Sequence, residues 1–199
     1  MQQMRKLSVV TRACVGISLL VAAATSMAAE WGVNDLMQSL SQKKAGTATF
    51  VEKKFISTLN QPLESTGQLA FTAPDRLEKR TLSPAAESMI LQGDKLMVER
   101  ADGKKLNVSL SDRPEVSAFV ESIRATLAGD KAGLEKYYAI VLNGKPEQWQ
   151  ISLTPTQSKM QKVISQIRIQ GTKTQIKMIT FLQADGDRSE MTITETSSK

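Results

Sequence analysis

Most of the chain is patterned with period two. Leu63, Ser65, Gly67, Leu69 and Phe71 alternate with Glu64, Thr66, Gln68, Ala70 and Thr72. On a strand this sends a small, apolar set to one face and a polar set to the other. Thr47 to Thr58, rich in β-branched and aromatic residues, predicts the strand before it. Leu77 to Leu82, bracketed by Pro74 and Pro84, predicts a weaker one after it. The run ESMILQGDKLMVERADGKKLNVSL predicts three strands joined by turns at Gln92 to Asp94 and Ala101 to Lys104. Farther on, strands are expected over Ala139 to Leu142, Glu147 to Thr154, the run VISQIRIQ, Thr174 to Leu182 and Ser189 to Thr196. The intervening NGK, QGT and ADGD carry turn residues, and TPTQSKMQK reads as a loop or a helical turn. In VISQIRIQ the alternation places Val163, Ser165, Ile167 and Ile169 on one face, against Ile164, Gln166, Arg168 and Gln170.

Two stretches change period. Leu36, Met37 and Leu40 share one helical face, with Asn34 as the expected cap, Lys43 and Lys44 in the last turn and Gly46 at the exit. Val116, Phe119, Val120, Ile123 and Leu127 recur at helical spacing between a Ser111 or Asp112 cap and Gly129, with Pro114 in the first turn. Asp130 can cap a second short helix running to Tyr138. The sum is a mainly β, α+β domain with one antiparallel sheet of roughly nine to eleven strands, wide enough to curl, and helices at its start and middle. The apolar stripe of the middle helix packs permanently on the sheet or lids a cavity; periodicity alone does not separate the two.

The N-terminus follows another logic. Arg5, Lys6 and Arg12 precede the apolar run Ala13 to Ala24, and Ser26 and Ala28 supply small residues for cleavage. This is the pattern of an export signal, expected to be cut after Ala28, or one residue later. The run is too short and too rich in Ala and Ser for a good transmembrane helix. Residues 29–199 are then a single domain. Removing the leader takes the only cysteine, Cys14, so the mature chain needs no disulfide. It also takes three of the 26 basic residues and no acid, leaving 23 against 20, a balance of +3. That is too little to suggest a nucleic-acid partner.

Catalytic equipment is sparse. Histidine is absent, which removes the usual general base and the commonest metal ligand. Ser41 and Lys44 have Ser-x-x-Lys spacing, which is common by chance on a solvated helix face and has no companion motif. Asp185 and Asp187 fit a hairpin turn better than a cation site. Glu64, Glu78 and Glu87 have no visible partner for a carboxylate pair, and no glycine-rich phosphate loop occurs. The reading is a protein that is not an enzyme and uses no cofactor and no metal. What remains is an apolar inventory that includes Met37, Met89, Met97, Met160, Met178 and Met191, side chains that adapt to irregular neighbours.

From Thr49 to Val98 the chain resembles the LolA-type periplasmic lipoprotein carriers. The resemblance rests on the step Phe50 to Glu52, the strand with Gly67, Leu69 and Phe71, the pair Pro74 and Leu77, a second proline at Pro84, and the strand–turn–strand LQGDKLMV. It continues more weakly to the final strands. It implies a curved antiparallel sheet forming an incomplete β-barrel, covered by short helices around an apolar cavity. It also implies a monomer that carries a lipid or acylated cargo from an inner-membrane donor transporter to an outer-membrane acceptor, without chemistry. On that basis the expected wall and lid of the cavity are Leu69, Phe71, Leu77, Met97, Phe119, Ile123, Leu127, Ile167, Ile169 and Met178. A glycolipid or a polyene ester fits as cargo at least as well as a lipoprotein. A protein-binding adaptor using the same face is the main alternative, and a lipid-acting hydrolase or transferase the weaker one. Where the carriers have an arginine before the first proline, which latches the lid, this chain has Ala73. Where they have a tryptophan on the next strand it has Lys79, and their extra C-terminal strand has no counterpart before Lys199. A looser lid is therefore expected.

Overall fold

The computed structural model describes residues 31–112 and 114–196; the expected export signal and cleavage site lie outside the described residues. Eleven strands form one antiparallel sheet: β1 (Ala45–Phe55), β2 (Leu63–Thr72), β3 (Arg76–Ser83), β4 (Glu87–Gln92), β5 (Lys95–Arg100), β6 (Lys105–Ser109), β7 (Tyr138–Lys145), β8 (Gln148–Pro155), β9 (Ile164–Thr172), β10 (Gln175–Gln183) and β11 (Arg188–Thr196). Their order is β6-β5-β4-β3-β2-β1-β11-β10-β9-β8-β7. The sheet is curved and does not close. It consists of two meanders joined in the middle by the first strand and the last, with Phe50 opposite Ile193 and Glu52 opposite Met191. The helices are α1 (Val33–Ser41), α2 (Pro114–Ala128), α3 (Lys131–Glu135) and α4 (Ser158–Gln161), with a 3-10 turn over Leu110–Asp112 leading into α2.

The cap of α1 lies earlier than expected. Gly32 is the N-cap, and its N–H donates to the Asp35 carboxylate at 2.8 Å. Asn34 falls inside the first turn because Asp35 reaches back past it. The helix also ends before both lysines, and Lys44 Nζ donates to the Ser41 carbonyl at 2.7 Å. Asp130 caps α3 as expected, accepting from the Gly133 N–H at 2.9 Å.

Two glycines that read as turn residues lie inside strands. Gly144 belongs to β7 and the chain reverses at Pro146 and Glu147; Gly171 belongs to β9 and the reversal comes at Lys173. Gly171 makes room for the Trp149 indole, and Gly144, at a φ of +100°, for the β8 backbone beside it. A Cβ on Gly171 would stand 2.2 Å from Trp149 Cζ2, and one on Gly144 would stand 2.2 Å from the Gln148 carbonyl oxygen. The indole Nε1 donates to the Lys173 carbonyl at 2.8 Å.

Two bulges overturn the simple alternation. A register shift between Leu182 and Gln183 buries Ile164 and leaves Val163 exposed, so Val163 does not share the face of Ile167. A second shift, between Ile176 and Met178, keeps Ile176 and Ile179 on the inner face and turns Met178 outward, level with Gln170 and Thr192.

The helix-bearing face carries two apolar clusters. The larger joins α1 (Leu36, Met37, Leu40) to Phe50, Trp149, Ile151, Leu153, Ile167 and Ile169. The smaller centres on Leu91, Leu96 and Leu110. Helix α2 touches both: Val116 and Val120 pack on the smaller, Phe119, Ile123 and Leu127 on the larger.

Candidate functional site

The apolar stripe of α2 is not sealed. Val116, Phe119, Val120, Ile123 and Leu127 are all half-buried. The sealed side of the helix is a small, polar one: Ser122, Ala125 and Thr126 are buried. It packs on neighbouring helices, with Ala125 beside Gly133 of α3. The Thr126 hydroxyl donates to the Ser122 carbonyl at 2.6 Å. Burial pushes the nearby Tyr138 phenol up to about 12, against a hydrogen bond with Ser122. The sheet facing the stripe has the same intermediate character. Leu69, Leu77, Met89, Val98 and Phe181 are half-buried, and Phe181 meets Phe119 with ring centroids 4.6 Å apart. Facing apolar surfaces that touch yet retain solvent access leave this part of the protein short of a finished core.

Of the ten residues expected to form wall and lid, Leu69, Phe119, Ile123, Leu127, Ile167 and Ile169 meet in the larger cluster. Ile167 and Ile169 are 0 % exposed there. Leu77 packs on the smaller cluster, and Phe71 is buried on the same cross-strand row. Met97 and Met178 do not join them. Met97 is exposed and level with Ile90 and Asn107, one residue out of phase with the inward Leu96 and Val98. Met178 is turned outward by the β10 bulge.

A polar group on the same face escaped the reading of apolar positions. Glu52, 4 % exposed, accepts from Lys79 Nζ at 2.6 Å and from Ser189 Oγ at 2.6 Å, with Ser65 Oγ at 3.5 Å. Burial pushes its carboxyl up, but the hydrogen bonds of Lys79 and Ser189 and the Lys79 charge outweigh it, and the group lies below its ordinary value. Phe50 lies against Gly67, whose Cβ would stand 2.8 Å from Phe50 Cε1. The Lys79 ammonium sits 4.9 Å from the centroid of that ring. The signal for this group was parity: Glu52 follows Phe50 by two and Lys79 follows Leu77 by two, so both charges occupy core-facing positions.

The other candidates have ordinary roles. Ser41 Oγ donates to the Gln38 carbonyl at 2.8 Å, so it is not aimed at Lys44. Asp185 and Asp187 build the β10–β11 turn, where the Ser57 N–H donates to Asp187 at 2.8 Å. Glu64, Glu78 and Glu87 pair with Lys53, Arg76 and Arg100. Among the described residues no cluster of carboxylates could hold a metal ion, and no helix is long and apolar enough to cross a membrane.

A family model described as outer membrane lipoprotein carrier protein LolA-like matches residues 21–197. Similar solved structures include the LolA superfamily protein NE2245 from Nitrosomonas europaea, with 9% identity, 84% of this chain and 94% of that chain covered, and TM-score 0.43. A chain of the MucA/MucB complex of Pseudomonas aeruginosa matches with 12% identity and TM-score 0.48, covering 84% of this chain and 58% of that one. A chain of the complex of the CwlD amidase with the GerS lipoprotein from Clostridioides difficile matches with 11% identity and TM-score 0.39, covering 76% and 84%. Among curated proteins none matches.

Proposed function

Because the chain belongs to the LolA-like family of outer membrane lipoprotein carrier proteins, we propose that it is an exported, periplasmic carrier that shelters the acyl chains of a lipid or lipidated cargo between α2 and the curved sheet. It takes the cargo from an inner-membrane donor, delivers it to an outer-membrane acceptor, and performs no chemistry on it. The observation that carries this reading is the half-buried state of the apolar residues on both walls, Phe119 and Ile123 on α2 and Leu69 and Met89 on the sheet. Each methylene withdrawn from water there contributes about 0.8 kcal/mol. That favours an acyl chain over water in the cleft.

Two substitutions distinguish a cleft from a closed core. In the carrier, Ile123→Glu gives a folded protein that has lost uptake of a fluorescent naphthylamine probe, because the charge finds water in the cleft. Ile167→Glu, at a position 0 % exposed, buries an unpaired charge at a cost of several kcal/mol, on the order of a domain's whole stability. Thermal melting beside probe binding reads both. Unfolding of both variants abolishes the cleft. A folded wild-type protein that neither retains lipid nor takes up the probe, yet captures a protein through this face, makes it an adaptor instead. Export has its own check: the mature N-terminus is expected at Ala29 or Glu30 by N-terminal sequencing, and an intact Met1 in a membrane fraction contradicts it.

A further inference from the structure

The half-buried apolar face has a polar seam. On β3, Lys79 is level with Leu69 on one side and Met89 on the other. Leu69 packs on the larger apolar cluster and Met89 on the smaller, so the lysine stands between the two. Its ammonium extends over Phe50 to reach Glu52 on β1. Burying such a pair adds little stability, since desolvation offsets the attraction. A fold that needed only a core would be served as well by apolar residues here.

The donors and acceptors of this seam are unequal. Glu52 is occupied on both oxygens, by Lys79 and Ser65 on one and Ser189 on the other. It has little left to accept from a ligand. An ammonium has three N–H bonds. Glu52 takes one and the Phe50 ring faces the charge, and among the described residues no other oxygen accepts from Lys79. The lysine side chain keeps 26% of its surface open, so water reaches it. The seam therefore offers a donor and not an acceptor. A second full negative charge at the same nitrogen would face the Glu52 carboxylate, which is held ionised by its hydrogen bonds. A neutral carbonyl oxygen meets no such repulsion.

We infer that Lys79 is the polar contact for the ligand, donating to the carbonyl of an acyl ester or amide whose hydrocarbon chain lies along the half-buried apolar wall, while Glu52 fixes the ammonium in place. This rests on the carrier reading and narrows its substrate class. The ligand is a neutral, carbonyl-bearing acyl lipid rather than a free fatty acid or a bare hydrocarbon.

The test compares monopalmitoylglycerol, palmitate and hexadecane, each below its aggregation limit, as competitors of a fluorescent naphthylamine probe. Wild-type protein is expected to bind the ester about tenfold more tightly than either other ligand, the size of one hydrogen bond to a charged donor. The paired variant Glu52→Gln/Lys79→Met leaves no orphaned charge, and in it the preference should vanish while hexadecane affinity holds. Equal binding of ester and hexadecane by wild-type protein overturns the inference but leaves the carrier intact. So does a preference for palmitate, or an ester preference that survives in the paired variant. Failure of all three ligands and of the probe removes the carrier reading itself. The wild-type comparison decides whether or not the variant folds.

Discussion

At Gly67 a hydrogen atom stands where any other residue would place a carbon 2.0 Å from the Arg80 carbonyl oxygen and 2.8 Å from Phe50 Cε1. Neither the β3 backbone nor the buried ring can give that much, so Gly67→Ala should cost about 1–3 kcal/mol, read as a lower denaturant midpoint. Glu52 makes the second residue-level prediction. Its folded pKa lies below the ordinary 4.5. It therefore contributes stability that is present above that value and lost as pH falls through the lower folded one. The melting temperature of wild-type protein should drop more steeply below that ordinary value than that of Glu52→Gln/Lys79→Met; parallel acid limbs would deny the pair this role. The residues that sequence patterning located best were large and apolar, because burial fixes their parity. Glu52 and Lys79 have the same parity, but a charge at a core position is legible only with its partner, and here the partner comes from two strands away. Gly144 and Gly171 misled for the opposite reason. A glycine signals freedom in a turn and clearance in a packed strand with the same letter: Gly171 supplies clearance for the Trp149 ring, and Gly144 supplies both, a φ of +100° and room for the Gln148 carbonyl.

Among the elements, α2 was the clearest from sequence, since five apolar residues at helical spacing leave little choice. Which side of it is sealed was not legible. Its most buried positions include Ser122 and Thr126, whose hydroxyls are satisfied by the helix's own carbonyls and so raise no hydropathy signal. The strand bulges were equally hidden, because an inserted residue changes the facing of its neighbours without changing their composition. How α2 is fastened bears on the looser lid expected at Ala73. Ala73 has no side chain to latch a helix; its N–H donates to the Lys44 carbonyl at 2.8 Å. The helix is tied to the β4–β5 turn instead, where Arg124 Nη1 donates to the Gly93 carbonyl at 3.0 Å, while its Nε donates to Glu121 of the same helix at 3.1 Å and steadies the guanidinium. A single tie of this kind contributes about 0.5–1.5 kcal/mol. Arg124→Ala should therefore speed hydrogen exchange along α2 while leaving exchange in β1 and β11 unchanged. Uniform acceleration would mean that the helix is an inseparable part of the core.

For the molecule as a whole, the mainly β class and the single antiparallel sheet were legible from the succession of alternating runs and turns. The strand order was not, since nothing local in β1 or β11 states that they pair. A carrier with a cleft between helix and sheet should gain stability from its cargo. A lipid present at one hundred times its dissociation constant stabilises the native state by about 2.7 kcal/mol, visible as a higher melting temperature. An unchanged melting curve under saturating lipid would count against binding to the folded state.

The junction of β1 with β11 bears on the order of events in folding. Within each meander, successive strands meet across short connections, and closing such loops costs little entropy. Thr47 and Thr196 face one another across nearly the whole described chain, so their contact is among the slowest to find. Until it forms, the buried Glu52 group is incomplete, because Glu52 and Ser189 approach each other only through this junction. Amides of β1 and β11 that pair across it should thus be the last to gain protection in pulse-labelled refolding, after the hairpins on either side.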